Sequence, residues 1–264
     1  MPPGSTLTSP LSRENQSSVL FIFLGASNLA RSLYGLKRCI TRCVFPRPVS
    51  FLHAMGPGRG YISQGGIFNA IYPPILYCDI LKAAYNKRKK NQQVIVLITD
   101  IGNDIMYGVS SEEIIEGLNL LFNRLNELEA KVFITSIPID LKKDVSAFYF
   151  RILRCIFFPK SYVEQNQASE AIQTINDFIF QAFDKNITVI NEMKKYCGID
   201  KIHYSLFKSR AAWSHIASNL TNPLAIKVAP ELKVSELILS LANNLGQILF
   251  TDILKVVSKT DETF

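Results

Sequence analysis

Histidine is scarce in this chain: His53, His203 and His215 are the three in 264 residues. Imidazole acid–base chemistry therefore has three places to start. Cysteine is sparse and unpatterned. Cys39, Cys43, Cys78, Cys155 and Cys197 form an odd set with no CxxC pair and no zinc-like spacing, which removes the common zinc and dithiol motifs. Reduced core thiols and a cytoplasmic location are the expectation; no metal and no cofactor are expected. No uninterrupted apolar run reaches the roughly 18 residues of a transmembrane helix. Residues 1–18 are polar, without the basic start, apolar middle and cleavage site of a signal peptide, and are expected to form a disordered tail. Three motifs are also missing. Gly56-x-Gly58-x-Gly60 has neither the GxGxxG spacing nor the lysine and hydroxyl of a phosphate loop, and no GxSxG elbow occurs.

The net charge of +7 and pI of about 9.1 leave nucleic acid, anionic membranes and acidic substrates open as partners. The basic residues are nevertheless scattered. Their densest run, Lys87 to Lys90, follows an apolar helical segment, where cations suit the helix dipole. No basic stripe with interleaved aromatics exists, so no nucleic-acid partner is expected.

What is present is a chain 48% hydrophobic, long enough for one sizeable core. Residues 19–24 read as a buried strand that ends at Gly25-Ala26-Ser27-Asn28 before a helix to about residue 39, with Asn28 placed to cap it. Further strands are expected at 49–54, 94–99, 132–136 and 187–190, and helices at 75–87, 111–128, 168–183 and 209–220. Ser110 and Glu113 resemble a capping box for the second of these. This alternation argues for a parallel sheet with helices on both faces. Residues 19–264 are read as one domain, with an aromatic-rich insert around 145–165 and an extra C-terminal helical segment at 230–258, which can pack on its own sheet or on another subunit.

Four loops follow the carboxyl ends of expected strands, and in a parallel sheet those ends share one edge. The first holds Ser27, a weak nucleophile without a base. Of the three histidines, His53 sits among apolar strand neighbours and His215 in a helix. His203 alone has a carboxylate, Asp200, three residues before it, a spacing that lets Asp200 accept from Nδ1–H and turn Nε2 toward the serine. An oxyanion would need donors: Ser27 N–H, a second-loop glycine N–H and the Asn103 amide are the candidates.

Gly-x-Ser-Asn, then glycine, then Gly-Asn-Asp, then Asp-x-x-His, in that order, resembles the SGNH hydrolases, also called GDSL-type esterases. The resemblance covers about residues 19–220. It implies a three-layer α/β/α, flavodoxin-like fold with a five-stranded parallel sheet. It implies Ser27 as nucleophile, His203 as base and Asp200 as its orienting acid, with an oxyanion hole from Ser27, a second-loop glycine and Asn103. Gly56 and Gly58 both suit the glycine role; Gly58 is favoured because it lies further past the strand and precedes Arg59. Asn28, Arg59 and Asp104 are candidate substrate contacts, with pairing of Arg59 to Asp100 or Asp104 as the structural alternative. The family usually carries Asp where Ala26 stands and Gly where Ile101 stands. The implied activity is hydrolysis of an ester or O-acyl group on a carbohydrate or lipid; the competing reading is a catalytically silent binding protein on the same fold. The aromatic run 147–158 reads as the wall of an acyl pocket, a peripheral membrane contact, or an amphipathic helix packed on the core.

Overall fold

The structure is a computed structural model that describes residues 17–67, 70–181, 186–226, 228–256 and 262–264. The expected tail at 1–18 falls outside these, apart from 17 and 18. In chain order the elements are β1 (Val19–Leu24), α1 (Ser27–Val44), β2 (Val49–Ala54), β3 (Gly65–Ile67), β4 (Ala70–Tyr72), α2 (Ile80–Lys87) and β5 (Gln93–Ile98). Then come α3 (Asn103–Met106), α4 (Ser111–Glu127), β6 (Lys131–Thr135), α5 (Leu141–Asp144), α6 (Ala147–Phe157), α7 (Gln165–Gln181), β7 (Ile187–Ile190), α8 (Leu206–Thr221) and α9 (Val234–Gly246).

Five strands form one sheet in the order β2-β1-β5-β6-β7, every neighbouring pair parallel. With the small β3–β4 hairpin set aside, this is the flavodoxin-like order, as expected. The strand order reverses between β1 and β5, and open α/β sheets keep their ligand crevice outside the strand ends at such a point. All six residues of β1 are buried, as a strand covered on both faces requires. Leu20, Ile22 and Leu24 pack with Ile80, Leu118 and Ile175 of α2, α4 and α7. Val19, Phe21 and Phe23 pack with Leu36 and Ile40 of α1 and Trp213 of α8. Two apolar layers separated by the sheet make the three-layer arrangement.

Several boundaries differ from the sequence reading. The first helix continues to Val44 because Cys39, Ile40, Cys43 and Val44 extend its buried face. The β3–β4 hairpin is absent from the expected strands: its strands are three residues each and one is Gly65-Gly66-Ile67, too little for a β pattern to register. Helix α8 starts at Leu206 rather than at 209. The expected capping box does open α4, with the Ser110 hydroxyl accepting from Glu113 N and the Glu113 carboxylate accepting from Ser110 N, both at 3.2 Å. Residues 262–264 run along the outer edge of β2, with His53 N donating to Glu262 O at 2.8 Å and Phe264 N to His53 O at 3.1 Å, which covers part of an exposed edge. Among the described residues no helix is long and apolar enough to cross a membrane.

Candidate active site

Ser27 is the first residue of α1, immediately beyond the end of β1. The first turn of a helix leaves backbone N–H groups without intrahelical partners. Here a carboxylate from the end of β5 takes them. Asp100 Oδ2 accepts from Ala26 N at 3.0 Å, Asn28 N at 3.1 Å and Leu29 N at 3.2 Å, while Oδ1 accepts from the Asn28 side-chain amide at 2.8 Å. A carboxylate at a helix N-terminus also suits the dipole. Asp100 itself adopts a left-handed conformation, φ 61°, which Asp tolerates at a local cost and which these four bonds hold in place. Ala26 contributes backbone groups alone, its N–H to Asp100 and its carbonyl to Ala30 N, so the turn is held without an acid at that position. No bond joins Ser27 N to an acceptor among the described residues.

The Asn28 side chain is 5% exposed and bridges two loops. Its amide donates to Asp100 Oδ1 and to Ile202 O at 3.2 Å, and its oxygen accepts from Tyr204 N at 2.9 Å. The expectation that Asn28 caps α1 is corrected on this ground: Asp100 caps, and Asn28 ties the turn at Ser27 to the loop of His203.

That loop brings His203 into place. Asp200 Oδ1 accepts from Ile202 N at 3.1 Å and His203 N at 2.9 Å, and Oδ2 meets His203 Nδ1 at 2.7 Å. His203 Nε2 lies 2.8 Å from Ser27 Oγ. Burial works to raise the Asp200 pKa, but the side-chain and backbone hydrogen bonds from His203 outweigh it and hold the carboxyl down at about 2. Asp200 is then an acceptor only, so Nδ1 carries the proton and Nε2 presents its lone pair to the serine hydroxyl. The other histidines are elsewhere: His53 is buried with Nε2 on Thr263 Oγ1 at 3.0 Å, and the His215 ring lies 6.1 Å from that of Tyr196.

The second and third loops are bound to each other. Asn103 Nδ2 donates to Arg59 O at 2.9 Å. Asp104 is fully buried and accepts from Tyr61 N at 2.6 Å, Ile62 N at 3.1 Å, and Ser63 N and Oγ at 2.8 and 2.6 Å. Its carboxylate organises the loop and has no face for a substrate, which corrects the expected contact. A Cβ on Gly60 would stand 2.5 Å from Asp104 Oδ1, so this packing requires glycine there. Arg59 is likewise fully buried. Its guanidinium donates to Pro73 O at 2.9 Å and to the backbone oxygens of Met55 and Phe264. It neither faces the site nor pairs with Asp100 or Asp104; converging carbonyls hold the cation inside. Gly58 has φ +72°, and its carbonyl accepts from Tyr107 Oη. Gly56 lies against Tyr72, whose ring would be 2.5 Å from an added Cβ.

Ser27, Asp100 and Asn103 open onto a cavity of about 100 Å³ whose inner walls include Ile105, Ile139, Phe150, Leu153 and Ile172. Helix α6, capped by Ser146, forms one wall. The Phe157 ring packs edge-on to His203 at 5.4 Å, and the Phe158 ring packs edge-on to Tyr107 at 5.4 Å. The aromatic run therefore touches both His203 and the residue that holds Gly58. It also leaves Phe148 and Ile156 exposed on its outer side.

Sequence reading missed the bracing role of Asp100 and the part of Tyr61, whose buried hydroxyl meets Leu24 O at 2.9 Å and Thr99 O at 2.8 Å and so joins the ends of β1 and β5. The acid placed directly after strand residue Thr99 is the one signal that pointed toward Asp100.

No protein-family profile matches the chain, and no curated protein matches it. Solved structures do. A carbohydrate esterase family 3 protein from Talaromyces cellulolyticus superposes with a TM-score of 0.50 at 13% identity, over 78% of this chain and 98% of the other. A mutant of an acetyl esterase, solved with an acetate ion, gives a TM-score of 0.50 at 11% identity over the same shares. At such identities the likeness is one of fold: a three-layer α/β/α arrangement shared with these esterases.

Proposed function

We propose, from this fold and the row of Asp200, His203 and Ser27, that the chain is a serine hydrolase that cleaves an ester or O-acyl bond. The observation that carries the reading is the 2.8 Å approach of His203 Nε2 to Ser27 Oγ, with Asp200 on the far nitrogen of the same ring. A serine hydroxyl needs such a base, and the base needs a fixed tautomer.

Ser27 Oγ attacks the acyl carbon as its proton passes to His203 Nε2. Asp200 stabilises the imidazolium and does not take the proton. The oxyanion of the tetrahedral intermediate is met by Ser27 N–H, Gly58 N–H and the second N–H of the Asn103 amide, whose first is fixed on Arg59 O. The Tyr107 bond to Gly58 O supports Gly58 for this role, since it fixes the peptide at a backbone angle open to glycine. Collapse expels the alcohol, which leaves with the proton from His203. Water, deprotonated by His203, then attacks the Ser27 ester and releases the acid.

A silent binding protein on this fold would owe its silence to Ala26 or Ile101. Asp100 takes the N–H groups around Ala26, and Ile101 is buried in the cavity wall, so neither removes a member of the row. Purified protein should hydrolyse p-nitrophenyl esters, and Ser27→Ala should not. Equal turnover by the two proteins would sink the reading.

A further inference from the structure

The cavity at Ser27 is larger and more apolar than removal of an acetyl group needs. We infer that it holds the acyl part of the substrate and that this part is a hydrocarbon chain of several carbons. This rests on Ser27 being the nucleophile. Ser27 lines the cavity, so a chain attached to the attacked carbon lies against its apolar walls. Ile105, Ile139, Leu141 and Ile172 line it, and α6 adds Phe150, Leu153 and Phe157 at helical spacing on a single face.

Most polar side chains along it are already engaged. The Thr135 hydroxyl donates to Thr99 Oγ1 at 3.0 Å, Arg154 donates to Val163 O at 2.8 Å, and Asn28 and Asp100 are bound to each other. Among the described residues the Ser136 hydroxyl has no protein partner. A sugar ring placed here would lose its hydrogen bonds to water and find few in return, whereas methylenes lose nothing. The apolar cavity thus selects the acyl chain, and the alcohol is left outside it. The solved acetyl esterase of the same fold differs in acyl group on this account.

The test compares kcat/KM for p-nitrophenyl acetate, butyrate, octanoate and dodecanoate, with Leu153→Trp to fill the cavity and Phe150→Ala to enlarge it. Binding of free octanoate to Ser27→Ala is measured by calorimetry alongside. Wild-type kcat/KM should rise by about fourfold per buried methylene until the cavity is full. Leu153→Trp should lower the octanoate-to-acetate ratio by about tenfold or more, as the loss of two methylene sites implies. If Leu153→Trp does not fold, Phe150→Ala still decides, by moving the optimum to a longer chain. Acetate as the best substrate, with a ratio neither variant moves and no octanoate binding, would overturn the inference while leaving the hydrolase reading intact. Octanoate binding to Ser27→Ala, weakened by Leu153→Trp, in a protein that turns over no ester would keep the inference about the cavity and remove the hydrolase.

Discussion

The turn at Ser27 and the loop at His203 are each organised by one carboxylate, and the two use it differently. Asp100 receives three backbone N–H groups and one side-chain amide, all from the nucleophile turn. Asp200 receives two backbone N–H groups through one oxygen and keeps the other for the imidazole. Asp100 is scaffold with its acceptors filled by nearby N–H groups. Asp200 braces its loop and also holds the imidazole. Asn28 joins the two halves, so the distance between Ser27 and His203 depends on a side chain that touches neither reacting atom. A carboxylate filled by main-chain donors should therefore cost stability when neutralised, and one that holds the imidazole should cost rate.

Removing the nucleophile gives the largest effect. Ser27→Ala should lower kcat by about 10⁶-fold with little change in Tm, since a half-buried hydroxyl is lost and the carboxylates remain. Next is Asp200→Asn, which keeps the shape but frees the imidazole tautomer; kcat should fall by about 10⁴-fold. The same variant tests a pH effect. With a folded pKa of about 2, below the ordinary 3.8, Asp200 stabilises the fold fully above about pH 4 and loses that contribution as the pH falls toward 2. Acid unfolding of wild type should show this loss, and Asp200→Asn should lack it.

Asp100→Asn should separate from Asp200→Asn by its signature. It places an amide among buried N–H groups, so unfolding free energy should drop by about 2 kcal/mol or more, seen in denaturant titration. An Asp100→Asn protein with unchanged stability would break the contrast. Asn28→Ala should lower stability by about 1–3 kcal/mol through unsatisfied Tyr204 N and reduce kcat as the two loops drift apart. Phe157→Ala, which removes one edge contact with His203, should have the smallest effect, about 1 kcal/mol or severalfold in kcat/KM.

The alternation of strand and helix, and the order of Ser27, Asn103, Asp200 and His203 along it, are legible in the sequence because strand burial and loop composition are local signals. The bracing is not. Asp100 and Asp104 act on main-chain N–H groups, which every residue but proline carries, so no pattern of residue types marks their targets. Arg59 reads as a substrate cation by its charge and its glycine neighbours. Only the fold reveals that Pro73, Met55 and residue 264 direct carbonyls at it. The aromatic density of 147–158 signals a special segment, but which face lines a cavity depends on where α6 meets His203 and Tyr107.

The central claim is that Ser27 is made nucleophilic by His203 held on Asp200. Mass spectrometry of the protein treated with a fluorophosphonate tests it most directly. One adduct on the peptide bearing Ser27, formed quickly in wild type, slowly in Asp200→Asn and not at all in Ser27→Ala, is the expected result. A folded wild-type protein that takes no adduct at Ser27, or takes it as fast in Asp200→Asn, would contradict it.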